Sequence, residues 1–245
     1  MVIITLPAYN EGPTLPTLLE RIRESMEENA IDYRVIVVND GSTDGTGDTL
    51  ERMRDTLPLT RIDHEVNRGL GEAIRTGLLA AIEGAKDRDI IVTMDSDNTH
   101  TPGLIARMVR GIREGNDVVI ASRFQPGAHV RGVPVYRRVL SRVGGLLFRL
   151  AFPTPGVRDF TSGYRAYRAG AVKQAFDTYG GEFVAESGFS CMVDILLKLR
   201  RIGAIISEVP LVLRYDMKYG VSKMFVVRTV IDTLQLLVSR RLGLG

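Results

Sequence analysis

The chain has 245 residues, 44% of them hydrophobic and 25% charged, with a formal net charge of +3. Such length and composition suit one large globular domain with a substantial core, or two small ones, and a net charge of only +3 argues weakly for any polyanion partner, nucleic acid being a competing one. The single cysteine, Cys191, excludes an intramolecular disulfide framework and fits a reducing compartment.

In chain order, Val2–Leu6, Val35–Val38, Ile90–Met94 and Val118–Ala121 read as short β-rich runs. Helical stretches fall near Thr14–Glu28, Thr46–Arg54, Gly71–Ala85 and Pro102–Glu114. In the first of these, Leu15, Leu18, Leu19 and Ile22 fall on one helical face. Strands that alternate with helices predict an α/β domain with a mostly parallel sheet and helices on both faces. Ligands on such a sheet bind beyond the carboxyl ends of the strands. The second half loses this rhythm. Gln125–Pro134 reads as a loop, Val135–Phe152 as a helix, and Pro153–Gly156 as a break. A helix over Ser190–Ile202, a strand over Ala204–Leu213 and an apolar helix from Ser222 to Arg241 follow. The expected division is a catalytic domain over 1–215 and a C-terminal loop with an amphipathic helix over 216–245, packed on or near it. The chain shows no signal peptide and no apolar run long enough to span a bilayer.

The polar clusters follow the predicted strands. Asp95-Ser96-Asp97 ends the third of the β-rich runs, where strand alternation would put both carboxylates on one side and Ser96 on the other. Two carboxylates with oxygen-only chemistry suit Mg²⁺ or Mn²⁺, which take further ligands from water and substrate phosphates. Pro7-Ala8-Tyr9-Asn10-Glu11 offers a fixed strand exit and a ring that can stack on a base. Asn39-Asp40-Gly41-Ser42-Thr43-Asp44-Gly45-Thr46 supplies tight turns, with Asp40 as a hydrogen-bond acceptor for a base or ribose and Asp44 or Thr46 as a helix cap. Asn67-Arg68-Gly69-Leu70-Gly71, placed after a third strand, opens a helix whose free N–H groups suit phosphate. It matches neither the dinucleotide fingerprint nor a P-loop.

Charge is unevenly spread. From Val118 to Arg158 there is no acidic residue, whereas Arg123, Arg131, Arg137, Arg138, Arg142, Arg149 and Arg158 all fall there. The guanidinium fork suits phosphate, and the stretch lacks an RNA-reading aromatic motif or a zinc-finger pattern. On the helix over 135–152, Arg137 and Ser141 share one face, and Arg138, Arg142 and Arg149 share another. One face suits an acceptor phosphate and the other anionic lipid head groups, with Leu146, Leu147, Phe148 and Leu150 available to an acyl or isoprenoid chain. His64, His100 and His129 have no metal-binding spacing and read as ordinary surface or loop residues.

Taken together, the stretches Pro7–Glu11, Asn39–Thr46, Asn67–Gly71, Met94–Asp97, Ser122–Phe124, Asp159–Arg165, Glu208–Pro210 and Gly220–Lys223 resemble, in order, the inverting GT-A glycosyltransferases of the dolichol-phosphate mannosyltransferase and bacterial polyprenyl-phosphate type. The resemblance implies a GT-A, Rossmann-like fold with C-terminal amphipathic helices. It implies transfer of a hexose, mannose favoured, from a nucleotide diphosphate sugar such as GDP-mannose to a polyprenyl monophosphate. By the same likeness Pro7, Ala8, Tyr9, Glu11, Asp40, Ser96 and Lys223 serve the donor nucleotide. Asp95 and Asp97 hold the metal, with Thr99 at the position where the family often has a glutamine ligand. Arg123, Arg137 and Ser141 meet the acceptor phosphate, with Arg123 counted among the catalytic groups beside the two aspartates.

Two departures stand out. Asn39 replaces the first acid of the usual Asp-Asp-Gly-Ser, which bears on the choice between guanine and uracil. Met217 replaces an arginine, with Lys218 or Arg214 as substitutes for its charge. The expected setting is the cytoplasmic side of the membrane, with peripheral attachment through Val135–Phe152 and, as a further contact, the C-terminal tail. A hydroxyl acceptor would instead require a base, for which Asp159 or Glu186 are candidates. A sugar nucleotidyltransferase or a non-catalytic scaffold are the other readings.

Overall fold

The structure, a computed structural model, describes residues 1–188 and 190–217, apart from the side chains of Arg137, Val139 and Leu140. The expected helix over 222–241, Lys218 and Lys223 lie outside the described residues.

The chain runs β1 (Val2–Ala8), α1 (Leu15–Glu28), β2 (Tyr33–Asp40), α2 (Thr46–Met53), β3 (Leu59–His64), α3 (Leu70–Ile82) and β4 (Ile90–Thr93). It continues through α4 (Ile105–Arg113), β5 (Val118–Ser122), β6 (His129–Arg131), α5 (Val135–Ala151), β7 (Arg165–Arg168), α6 (Ala169–Tyr179), α7 (Ser190–Arg201), β8 (Ile206–Pro210) and β9 (Val212–Arg214). The main sheet has the order β3-β2-β1-β4-β7-β5-β8 and is parallel except for β7, which runs against both neighbours. The mostly parallel α/β architecture expected from the alternating pattern is therefore present.

Both faces of the sheet are covered, so its strands are apolar on both sides. On one face Leu15, Leu18, Leu19, Ile22 and Met26 of α1 pack with Leu50 of α2 and with Ile105, Met108 and Ile112 of α4. On the other, Ile74 and Leu78 of α3 pack with Val172 of α6 and Ile195, Leu196 and Leu199 of α7. Phe148 of α5 joins this second core, so it is not available to an acyl chain as its helical position suggested.

The sequence-based outline leaves β3 without bounds and lacks β6, β7 and α6. β3 was given no bounds because Thr60, Arg61 and Asp63 break its apolar character, as befits an edge strand whose partner is β2 alone. β7 is only four residues long and carries an arginine at each end. Its first, Arg165, is fully buried and donates to the carbonyls of Met192 and Phe160, both at 2.7 Å. α6 follows it without a break. The single strand expected over Ala204–Leu213 is two strands, since Pro210 cannot donate to the ladder. β8 stays in the main sheet, while β9 pairs with β6 in a separate parallel ribbon inside the expected loop Gln125–Pro134.

Candidate active site at the carboxyl rim

The strand order reverses between β1 and β4: the chain builds outward from β1 to β2 and β3, then returns to lay β4 on the other side. A crevice at the carboxyl ends of β1 and β4 is the usual binding place on such a sheet. It is lined by Pro7–Glu11 from β1 and by Asp95–Thr99 from β4.

β4 ends at Thr93, so Asp95 and Asp97 sit in a turn, and strand alternation is not what orients them. The turn produces the same result by other means. The Ser96 hydroxyl donates to the Pro7 carbonyl at 2.8 Å, and the Asn98 amide donates to the Thr14 carbonyl at 3.0 Å. Ser96 and Asn98 are thereby buried, Asn98 taking a positive φ of 61°, and the two aspartates between and beside them remain partly exposed. Ser96, expected at the nucleotide, thus spends its hydroxyl on fastening the aspartate turn to the end of β1.

Thr99 acts on Asp97. Its N–H and its hydroxyl both donate to Asp97 Oδ1, at 3.1 and 2.6 Å, and the residue is buried. The missing glutamine is therefore replaced by a support for one carboxylate. His100 does the corresponding work behind Asp95, where the sequence suggested an ordinary loop residue. It is buried, its Nδ1 accepts the Asp95 N–H at 3.1 Å, and its Nε2 lies 3.8 Å from Asp95 Oδ2. Its ring stacks on Tyr164 at 4.8 Å. Because Nδ1 accepts, the neutral ring carries its proton on Nε2.

The donor-side loops are built into one another. The Asn10 N–H donates to Ser42 Oγ, the Glu11 N–H to Thr46 Oγ1, and the Gly12 N–H to Asp44 Oδ2. Thr14 returns a hydroxyl to Glu11 Oε2 at 2.7 Å. Burial pushes the Asp44 carboxyl up, but the Thr46 hydroxyl and the N–H groups of Gly12 and Thr46 outweigh it and hold the group below its ordinary value. Pro7 and Ala8 form the floor, and Tyr9 is exposed at the lip.

Asp40 was expected at a base or ribose. Its carboxylate is buried and accepts the N–H groups of Arg68 and Gly69, each at 2.9 Å, with His64 Nδ1 at 2.6 Å. It fixes the loop that opens α3, and His64, another expected surface residue, is part of that fastening. Gly41 is required here, at φ 66°, because a Cβ would fall 2.4 Å from the Asn67 nitrogen. Asn39 is likewise buried, donating to Asp63 at 2.7 Å and accepting the Ser42 N–H at 3.3 Å. With an acid at position 39, two carboxylates would face each other. The departure from the family pattern is matched by Asp63 rather than by an open base site.

Across the rim, Arg123 at the end of β5 places Nε and Nη2 on Asp159, at 2.8 and 2.7 Å, and Nη2 also on Thr161 at 2.6 Å. Asp159 has no exposed surface, while Arg123 keeps 26% of its side chain exposed. Burial pushes the Asp159 carboxyl up, but Arg123 overrides it and holds the group below its usual value. A buried carboxylate so engaged is not a base for a hydroxyl acceptor. Asp159 is held in place from behind by Glu208, whose Oε1 accepts its N–H at 2.7 Å.

The two sides meet. Asp95 contributes to the field that keeps Arg123 charged, and a Cβ on Gly163 would lie 3.5 Å from Asp95 Oδ1. Ser141 is half-buried on α5; the side chain of Arg137 lies outside the description. Arg214 does not turn to the site in place of Met217: its guanidinium pairs with Asp216 at 2.8 Å.

Among the described residues no three histidine, cysteine, aspartate or glutamate side chains converge as a complete metal cage. Two supported carboxylates, partly open, fit a hard divalent ion that takes its remaining ligands from a diphosphate and water.

Residues 3–176 match Glycosyl transferase family 2. An undecaprenyl-phosphate mannosyltransferase of Micrococcus luteus is 34% identical over 224 residues, covering 91% of this chain and 87% of that protein. A polyprenol monophosphomannose synthase of Mycolicibacterium smegmatis is 30% identical over 226 residues, covering 91% and 80%. Glucosyl-3-phosphoglycerate synthase of Mycobacterium tuberculosis, solved with Mn²⁺, UDP and glucosyl-3-phosphoglycerate, superposes with a TM-score of 0.68 at 22% identity over 99% of this chain and 80% of its own. That neighbour shares the fold, and the family match over residues 3–176 together with the 34% identical relative shows that the chain belongs to the family 2 glycosyltransferases.

Proposed function

We propose that the protein transfers mannose from a nucleotide diphosphate sugar, GDP-mannose in preference, to a polyprenyl monophosphate with inversion at the anomeric carbon. The observation that carries this reading is the meeting of a two-carboxylate turn, Asp95 and Asp97, with the Arg123 guanidinium across one rim. The acceptor and sugar follow from the two bacterial relatives, both named for mannose on a polyprenyl phosphate.

Pro7, Ala8, Tyr9 and Glu11 line the donor side, with Tyr9 available to stack on the base. Asp40 and Ser96 hold the loops that shape this side. Asp95 and Asp97 would hold Mg²⁺ or Mn²⁺, which when bound supplies charge neutralisation for the departing diphosphate. Thr99 and His100 keep the two carboxylates oriented, as outer partners of metal ligands commonly do. On the acceptor side Arg123 has Nε and Nη2 committed to Asp159 and Thr161, which leaves Nη1 for a phosphate oxygen. Arg137 and Ser141 of α5 complete that grip. A phosphate monoester is already anionic near neutral pH, so the site needs alignment and charge stabilisation rather than a strong base. That agrees with Asp159 being unavailable as one.

The test is transfer from radiolabelled GDP-mannose, UDP-glucose and UDP-N-acetylglucosamine in Mn²⁺, with and without a short polyprenyl phosphate. Transfer of mannose to the lipid phosphate is the expected result. Donor turnover only with a hydroxyl acceptor would overturn the reading.

We also propose peripheral attachment at the cytoplasmic face of the membrane, with α5 as the attaching element. Among the described residues no helix is long and apolar enough to cross a membrane. Val135, Val143, Leu146 and Leu150 are exposed and fall within about 80° of one another on the helix. Arg138, Arg142 and Arg149 adjoin them and are exposed as well. An apolar stripe beside a basic one suits an anionic bilayer surface. Reversing the three arginines to glutamate is expected to reduce binding to anionic liposomes by about a hundredfold or more, at about 1 kcal/mol per basic residue. Unchanged sedimentation with the vesicles would discard this attachment.

A further inference from the structure

The acceptor grip and the exposed face of α5 belong to one helix, and the inner side of that helix rests on two aromatic rings next to the Arg123 cluster. Gly145 lies directly on Phe124: a Cβ there would come within 2.9 Å of Phe124 Cε2 and 3.3 Å of Cζ. The Arg123 guanidinium lies 5.6 Å from the centre of the same ring. One turn further along, Phe148 stacks on Phe160 at 5.7 Å, and both are almost fully buried. Phe160 separates Asp159 from Thr161, the two residues that hold the Arg123 fork.

We propose that Phe124 is a positioning residue for Arg123, and that the seating of α5 on its ring through Gly145 sets how Arg123 meets the acceptor phosphate. The proposal rests on the lipid-phosphate reading for its kinetic consequence, though not for the mechanical link itself. The physical reasons are close packing and geometry. A ring wedged between a helix backbone and a guanidinium transmits a shift of either to the other. Glycine at 145 costs helix stability in the middle of α5, and the contact with Phe124 accounts for it. The Arg123 N–H, donated to Asp159 at 3.0 Å, and the Phe124 N–H, donated to Ser122 Oγ at 3.2 Å, both report the state of this junction. The donor loops after β1 and β2 are held by hydrogen bonds to one another, so a disturbance here is expected to fall mainly on the acceptor.

Steric compensation tests the link. Gly145→Ala puts a methyl against Phe124, Phe124→Leu removes the ring atoms that it would strike, and the double variant combines them. Three readouts are taken: KM for a short polyprenyl phosphate, the Kd for the donor nucleotide, and amide hydrogen exchange of the segment that contains Arg123 and Phe124. Gly145→Ala is expected to raise the acceptor KM about tenfold, to speed exchange in that segment, and to leave donor Kd and exchange in β1 and β4 unchanged. The double variant should recover toward wild type on both affected readouts. Losses that merely add in the double variant, or a loss of donor affinity equal to that of the acceptor, would overturn the proposal. Should the wild type transfer nothing to lipid phosphate, the functional reading fails, while exchange at Arg123–Phe124 still decides the mechanical link.

Discussion

Asp97→Ala is expected to lower kcat/KM for mannosyl transfer about a thousandfold, which corresponds to removing roughly 4 kcal/mol of charge stabilisation at the leaving diphosphate. Mn²⁺ binding, followed by the paramagnetic resonance signal of the free ion, should weaken in parallel. Thr99→Val provides the comparison within the same turn. Its hydroxyl donates to Asp97 and is buried, so its loss should leave the carboxylate in place but less well oriented. A reduction of about tenfold in metal affinity is the expected size for such an outer partner. Equal losses from the two substitutions would make Thr99 a direct ligand. No change in Mn²⁺ binding from Asp97→Ala would remove the carboxylate turn from the metal site altogether.

Asp159→Asn is expected to destabilise the fold by about 3 kcal/mol, because it strands the Arg123 charge against a neutral partner. The figure sits at the low end for a broken buried pair, since Arg123 is 26% exposed and water takes up part of its charge. The pH dependence follows from the direction of the shift. The Asp159 carboxyl is pushed up by burial but held below its usual value by Arg123, so the folded state binds its proton more weakly than the unfolded chain does. Its contribution is therefore present above the unfolded value of about 4 and lost as pH falls through the lower folded value. Glu208 acts in the opposite sense: burial raises its carboxyl, so its contribution is present below its unfolded value of about 4.3 and is lost as pH rises through the raised one. Urea unfolding of wild type and Asp159→Asn should differ clearly at about pH 7, and the difference should narrow as pH falls below about 4. Equal stabilities at neutral pH would mean that Arg123 finds another partner.

How much of this was legible in the chain depends on the range over which each residue makes its contacts. β1, β2, β4 and β5 are apolar runs bounded by polar turns, and their periodicity is local, so they could be read directly. The same holds for α1, whose buried positions are those its spacing picked out. β7 could not be read: Arg165 is buried only because carbonyls of Phe160 and Met192 receive it, and Met192 is 27 positions away. The Asp95-Ser96-Asp97 turn was legible as chemistry, but not the reason for its shape, which lies in hydrogen bonds from Ser96 and Asn98 to Pro7 and Thr14. Asp40 shows the converse difficulty. Its place at the end of a strand pointed to a ligand, whereas its carboxylate is spent on Arg68 and Gly69. His64 and His100 gave no signal because each works as a single ring against one carboxylate, with no repeated spacing to find.

The reversed direction of β7 has a consequence for how the enzyme can change over time. A strand inserted head to tail brings its leading segment, Asp159–Tyr164, to the same rim as the trailing ends of its neighbours. The sheet is thereby sewn from two halves, one spanning β1 to β4 and the other β5 to β8, and the seam lies between β4 and β7. On the proposed reading the nucleotide and the acceptor are met from opposite sides of that seam, which is crossed at the rim by the Asp95–Gly163 approach, the His100–Tyr164 stack and the Thr93–Gly163 hydrogen bond. On that reading, the acceptor half can vary within β5 to β8 while the donor loops keep the hydrogen bonds that join the ends of β1 and β2.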